Sequence, residues 1–105
     1  MTETQLPPSG PGTVVLNLGA DTGALILHTP ASMDGDEIEV SRTDVPAAAR
    51  THSQVRERRT GSSIRYAAVY PDLPAGDYTI WRDAATPAAA VTIAGGSVTS
   101  CRWPG

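Results

Sequence analysis

Five of the chain's eight arginines fall within sixteen residues, and this cluster is the strongest chemical signal in the sequence. The segment contains a single acid, Glu57, and its arginines are Arg50, Arg56, Arg58, Arg59 and Arg65. Guanidinium groups bind carboxylates and phosphates through paired hydrogen bonds, so the cluster is a candidate surface for an anion or an acidic partner. A plainer interpretation is a solvated strand whose charges protect the edge of a sheet from aggregation.

The acidic residues are concentrated in a neighbouring segment. Residues 33–44 contain five acids and one arginine, Arg42, and the whole chain has a formal charge of −3. This negative total argues against general nucleic-acid binding, which requires a basic footprint. The separation of charge also allows a third interpretation, in which the two patches meet within one molecule or between neighbouring molecules.

The two histidines, His28 and His52, are the next candidates for chemistry. Imidazoles joined by a carboxylate bind metals or act as acids and bases, and Asp21 is a candidate third group. The spacing contains no His-x-His or His-x₃-His pair, and isolated histidines at strand ends are usually hydrogen-bonded surface residues. A small metal protein or hydrolase that uses these residues is therefore our alternative function, and the main prediction includes no catalytic residue and no cofactor.

Alternation of apolar and polar residues predicts short strands along the chain. Three hairpins are predicted: one in residues 62–81 with a proline-bounded turn, one in residues 50–70 with Thr60 and Gly61 as the loop, and one in residues 88–103 around Gly95 and Gly96. The second hairpin pairs Val55 with Tyr66, His52 with Val69 and Arg56 with Arg65. Strands are also predicted at residues 13–18, 24–29 and 37–41.

The segment YPDLPAGDYTI, residues 70–80, has the pattern aromatic-x-x-Leu-Pro-x-Gly-x-Tyr-x-Ile. This pattern resembles that of prealbumin-like β-sandwiches, which include carboxypeptidase regulatory-like and collagen-adhesin B-type domains. The later VTIAGGSVTSCRW, residues 91–103, is similar to the closing strands of such domains. The resemblance implies the sandwich fold and a structural, packing or ligand-presenting role. The internal Lys–Asn cross-link of adhesin-type domains is excluded, because the chain has no lysine.

A second resemblance is confined to three residues. Asp21-Thr22-Gly23, followed by Ala24, resembles the active-site triplet of retroviral-type aspartic proteases, in which carboxylates of two chains share a proton and activate water. The preceding residues 16–20 only half match the apolar strand that should lead into such a triplet. A polar turn between two strands is the favoured interpretation, and a protease dimer remains the last of the alternatives.

Length and composition predict one domain with a single small core. Residues 1–12 are rich in proline and glycine and are expected to form a disordered arm, whereas residues 13–105 form the folded domain. The beginning of the chain has neither the basic end nor the apolar run of a signal peptide or membrane anchor, so a cytoplasmic location is expected.

The single cysteine, Cys101, is expected to be a small buried residue of the last strand.

We therefore predict an all-β protein, a single antiparallel β-sandwich of seven to eight short strands and of prealbumin-like type. The predicted function is that of a non-catalytic intracellular binding or accessory module with a protein partner or a small anionic ligand, and with neither nucleic acid nor membrane as partner. Trp81 is predicted to face away from Tyr78 and Ile80. An exposed indole near the basic hairpin would be a contact site, whereas an indole covered by the terminal strand would be only part of the core. The predicted binding residues are His52, Arg56, Arg58, Arg65 and Trp81.

Overall fold

The computed structural model describes residues 19–45 and 49–104, and within them the chain forms two four-stranded sheets that pack face to face. The strands are β1 (Thr22–Thr29), β2 (Glu37–Arg42), β3 (Thr51–Gln54), β4 (Arg56–Thr60), β5 (Ser63–Pro74), β6 (Gly76–Trp81), β7 (Pro87–Ile93) and β8 (Val98–Arg102). Sheet I has the order β4-β5-β1-β8, and sheet II has the order β3-β2-β6-β7. A short 3₁₀ helix, Ala31–Met33, follows β1.

This arrangement confirms the predicted all-β sandwich. The predicted arm, residues 1–12, and the predicted strand at residues 13–18 lie outside the described residues. The part of the chain that the structure describes has no helix that is both long and apolar enough to cross a membrane.

The core lies between the two sheets and is built from alternate residues of their strands. Because successive side chains of a strand point to opposite faces, one residue in two is available to the interior. Each core residue is at most 3% exposed, and burial of such a side chain stabilises the fold by about 1.5–3 kcal/mol. The cluster comprises Leu25, Leu27, Ile38, Val40, Val55, Ala68, Tyr70, Leu73, Tyr78, Ile80 and Ile93, and the half-buried Tyr66 packs against it.

Tyrosine hydroxyls in this core have hydrogen-bond partners. The Tyr70 hydroxyl donates to the carbonyl oxygen of Ile38 at 2.6 Å, which joins β5 of sheet I to β2 of sheet II. Burial raises the pKa of Tyr70 far above its usual value, so this hydroxyl remains a donor at all physiological pH values. The Tyr78 hydroxyl donates to the carbonyl oxygen of Pro74 at 2.7 Å, across the turn between β5 and β6.

Two of the three predicted hairpins are wrong, because their strands belong to different sheets. β5 lies in sheet I and β6 in sheet II, so the turn between them is a crossing. β7 and β8 are divided in the same way, and β8 pairs with β1 in a parallel arrangement. The core accounts for the crossing between β5 and β6. Tyr70 on β5 and Tyr78 on β6 are both buried in the same core, and they enter it from opposite sheets. The sandwich is therefore mainly, but not purely, antiparallel.

The third predicted hairpin exists as β4 and β5, but its predicted register is wrong. Gly61 and Ser62 form the loop, and Thr60 pairs with Ser63. Gly61 has a φ of 60°, a conformation that glycine adopts without steric cost. The register is therefore shifted by two residues, so Tyr66 pairs with Glu57 and Arg65 pairs with Arg58.

The predicted strand of residues 50–58 is interrupted at Val55. Its first half, β3, pairs with β2 in sheet II, and its second half, β4, pairs with β5 in sheet I. Val55 itself is fully buried, and its backbone bonds to Gly35 and Asp36 in the turn before β2. His52 therefore pairs with Glu39 of β2, not with Val69.

The Asp21-Thr22-Gly23 triplet connects the two crossings at one end of the sandwich. The carbonyl oxygen of Asp21 accepts from the amide of Ala75 at 2.8 Å, and that of Thr22 accepts from the amide of Gly96 at 2.7 Å. Gly23 lies so close to the turn after β7 that a β-carbon would overlap the carbonyl oxygen of Ala94. The polar-turn interpretation thus accounts for the triplet through backbone packing alone.

We predict that Gly23→Ala lowers the free energy of unfolding by about 1–3 kcal/mol, because the added methyl group overpacks the contact between β1 and the β7–β8 turn. Gly19→Ala is the matched control, since among the described residues a β-carbon there would meet only the Thr22 hydroxyl, at 3.9 Å. Urea denaturation of both variants measures the difference. Equal stability of the two would show that this close approach does not constrain the fold.

Candidate functional site

The outer face of sheet I, which points away from the core, carries a group of basic residues. Directly paired residues lie on the same face of a sheet, so the register places Arg56, Ala67, His28 and Arg102 in one row across all four strands. The next row contains Arg58 and Arg65. We call this surface the basic face; its residues are His28, Arg56, Arg58, Arg65 and Arg102.

The β4–β5 hairpin projects beyond the rest of sheet I. β1 ends at Thr29, opposite Tyr66, so Ser63, Ile64 and Arg65 have a partner on β4 but none on β1. The tip is exposed, and Ile64 keeps 49% of its surface in solvent. The end of the hairpin therefore carries Arg58, Arg59 and Arg65 beyond the last residue of β1.

Arg58 and Arg65 face each other directly across this hairpin. Cα atoms of paired residues lie about 4.5–5.5 Å apart, and like charges at such positions destabilise a sheet. Within residues 19–45 and 49–104, the salt bridges are Arg42–Asp44, Arg50–Glu39 and Arg59–Glu57. None of them neutralises the facing pair, so two positive charges remain side by side.

Arg58 also carries an unsatisfied donor. Its Nε atom is buried and has no hydrogen-bond partner among the described residues. An unpaired buried polar group costs about 1–3 kcal/mol. An anion bound between the two guanidinium groups would neutralise the repulsion with Arg65.

The structure divides the five predicted binding residues between the two sides of the sandwich. Arg56, Arg58 and Arg65 lie together on the basic face. His52 pairs with Glu39 on the outer face of sheet II, and Trp81 lies on that same face. The sequence pattern predicted one strand over residues 50–58, which would place His52 beside the arginines. The chain instead changes sheet at Val55, and this change separates His52 from the arginines.

The hydrogen bond and the ring contact of Trp81 are both made with other residues of the chain. Its indole nitrogen donates to the Ser41 hydroxyl at 2.9 Å, and the Arg50 guanidinium carbon lies 3.8 Å from the ring centroid. Arg50 also donates to a Glu39 carboxylate oxygen at 2.9 Å and to the carbonyl oxygen of Ala84 at 2.7 Å. Trp81 does face away from Tyr78 and Ile80, as predicted, but it is half-buried beneath Arg50.

The two histidines lie on opposite outer faces, so one metal ion cannot contact both in a single chain. His28 belongs to the basic face, and His52 to the outer face of sheet II. Asp21 precedes β1 and His28 is near its end, roughly 23 Å away along an extended strand. In the ranges that the structure describes, no three His, Cys, Asp or Glu residues are grouped to hold a metal.

Arg102 and His28 are neighbours on the basic face, and the sequence did not predict that they pair. The parallel alignment of β8 with β1 places them side by side, whereas a β7–β8 hairpin would have placed β8 in the other sheet. No local signal around residue 102 indicates a parallel partner 74 positions earlier in the chain, because parallel pairing depends on distant strands.

An open cavity of about 760 Å³ adjoins the basic face at the end of β1. Arg65 and Arg102 line it together with Tyr66, Cys101 and Trp103. Cys101 is half-buried and packs against the core, which partly confirms the expectation of a small buried residue.

Comparisons of the chain with protein-family models, with curated proteins and with solved structures find no match in any of the three. The geometry of the basic face and its cavity therefore carries the functional argument.

We predict that Cys101 is alkylated by iodoacetamide more slowly in the folded protein than in urea. Burial raises the pKa of the thiol, so the reactive thiolate becomes abundant only at a higher pH than in the unfolded chain. Mass spectrometry of timed samples over a pH series gives both rates. Identical pH profiles for the folded and unfolded chains would contradict the packing of Cys101.

Proposed function

We propose that this protein is a non-catalytic binding module that docks an acidic protein partner or a small anionic ligand through its β4–β5 hairpin. The contact surface in this proposal is the basic face, in particular Arg56, Arg58 and Arg65, extended across sheet I by Arg102. His52 and Trp81 face the other way and are not part of it.

The observation that carries the proposal is the facing pair of Arg58 and Arg65. A cross-strand pair contributes roughly 0.2–1 kcal/mol, and for like charges this contribution opposes folding. The repulsion disappears when an anion bridges the two guanidinium groups, each of which donates hydrogen bonds to it. Binding is thus favoured both by the new contacts and by removal of an unfavourable one.

The distribution of charge over the two outer faces supports an oriented encounter. On the outer face of sheet II the acids Glu37, Glu39 and Asp77 outnumber Arg50, which is paired with Glu39, so this side is acidic and the side formed by sheet I is basic. An acidic partner is attracted to one side and repelled from the other, which favours one docking orientation.

We also propose that the sandwich is of prealbumin-like type. In support, Leu73 is buried, and the Leu-Pro-x-Gly-x-Tyr segment carries the chain from sheet I to sheet II. Gly76 adopts a φ of 149° in this crossing, and the Tyr78 hydroxyl closes it on Pro74. The motif thus has a structural role, because it connects the two sheets.

We expect Arg58→Gln to weaken binding of fluorescein-labelled poly-glutamate roughly two- to fivefold at low ionic strength, the equivalent of about 0.5–1 kcal/mol for an exposed ion pair. Arg59→Gln is the matched control, because it removes the same charge from the adjacent position. Arg59 points to the other side of the hairpin and is paired with Glu57 at 3.0 Å.

Fluorescence anisotropy measures both affinities. The proposal predicts that only Arg58→Gln reduces binding and that added salt weakens binding to the native protein. Equal losses for the two variants would indicate attraction to total charge, and the docking surface would then be wrong.

A further inference from the structure

We propose that the cavity at the end of β1 binds a small organic anion with a planar, aromatic body, such as an aryl phosphate or aryl carboxylate. This inference rests on the proposed function, because it names the class of ligand that the basic side of the sandwich takes. It adds a second requirement, an aromatic group, that the flat basic face does not impose.

The cavity lies where β1 ends and one of its neighbours, β5, continues. β1 lies between β5 and β8, and after Thr29 the chain leaves sheet I through Pro30 and the 3₁₀ helix. β5 extends beyond this point as part of the projecting hairpin, and the end of β8 lies on the other side. Beyond Thr29 no strand of the described residues takes the place of β1 beside β5, and the open cavity is found there. Its volume of about 760 Å³ is within the range of small-molecule binding sites.

Two arginines line this cavity from opposite sides. Arg65 comes from β5 and Arg102 from β8, and His28 lies between them on β1. From strand spacing and register, the Cα atoms of Arg65 and Arg102 are roughly 12 Å apart, so their long side chains can meet on one anion. Among the described residues that line the cavity, none is a carboxylate.

Two aromatic residues line another part of the cavity. Tyr66 and Trp103 point to the inner side of sheet I, and both line the cavity while packing against the core. Trp103 is held in place because its backbone amide donates to the carbonyl oxygen of His28 at 2.7 Å. Arg82 lies over the indole, with its guanidinium carbon 5.3 Å from the centroid. Fixed aromatic groups next to guanidinium groups suit a ligand that is planar at one end and anionic at the other.

A protein partner alone does not account for this arrangement. An acidic peptide that lies along the hairpin would contact Arg56, Arg58 and Arg65, and it would leave Trp103 untouched. The cavity instead combines a concave shape, two converging cations and an apolar wall, which are the features of a small-molecule site.

The test titrates ¹⁵N-labelled protein with phenyl phosphate and follows the two indole N–H signals by NMR. We expect the Trp103 signal to shift and the Trp81 signal to stay in place, because Trp81 lies beneath Arg50 on the other outer face. The Trp81→Phe variant assigns the two signals. Benzyl alcohol, which has the ring without the charge, and inorganic phosphate, which has the charge without the ring, are expected to shift Trp103 much less.

Two matched variants locate the anionic group. Arg102 lines the cavity, whereas Arg59, which is also exposed, does not line it and is paired with Glu57. We expect Arg102→Gln to weaken phenyl phosphate binding roughly two- to fivefold, as for one exposed ion pair, and Arg59→Gln to leave it unchanged.

Four results would overturn the inference. Equal losses for the two variants would place the anion outside the cavity, and equal shifts of Trp103 by inorganic phosphate would remove the need for a ring. If phenyl phosphate perturbs only the hairpin, the cavity is not a site, although the docking surface stands. If neither phenyl phosphate nor poly-glutamate binds, the proposed function fails as well.

Discussion

The strand change at Val55 is the constraint on which the rest of this structure depends. Val55 is fully buried, its amide donates to the carbonyl oxygen of Asp36 at 2.8 Å, and its carbonyl oxygen accepts from Gly35 at 2.9 Å. One continuous segment therefore forms the edge of sheet II as β3 and the edge of sheet I as β4. This crossing determines where the hairpin projects and which arginines it presents.

The strand change has an electrostatic consequence. With β4 in sheet I, the register of the hairpin sets Arg58 opposite Arg65, and the acids of β2 are on the other side of the molecule. Sandwiches usually place opposite charges across a ladder, because like charges oppose pairing. A local arrangement that lowers stability without compensation within the described residues is typical of a surface selected for binding.

The sequence predicted much of this structure, and its limits have a physical reason. Alternation with a period of two separated Trp81 from Tyr78 and Ile80, and the structure has Tyr78 and Ile80 in the core. The register of the hairpin was wrong by two residues, and a shift of two preserves which side chains share a face. For this reason Arg56, Arg58 and Arg65 lie together, although the partner of Arg65 is Arg58.

Features that depend on distant strands were not predictable in this way. The turn Leu-Pro-Ala-Gly has alternating apolar and polar residues on both sides. This pattern is the same whether the turn closes a hairpin or carries the chain from one sheet to the other, so the local sequence does not distinguish the two. The parallel pairing of β8 with β1 likewise has no local signature. The cavity and the place of Arg102 both follow from that pairing, which is why they emerge only from the fold.

The most direct test of the central claim is a double-mutant cycle on Arg58 and Arg65, with Gln at each position, measured by urea denaturation at low ionic strength. The account predicts an unfavourable coupling between the two arginines without added anion, and a coupling that shrinks or changes sign when inorganic phosphate is present. A coupling within about 0.3 kcal/mol of zero in both conditions, which is the usual limit of additivity, would contradict it.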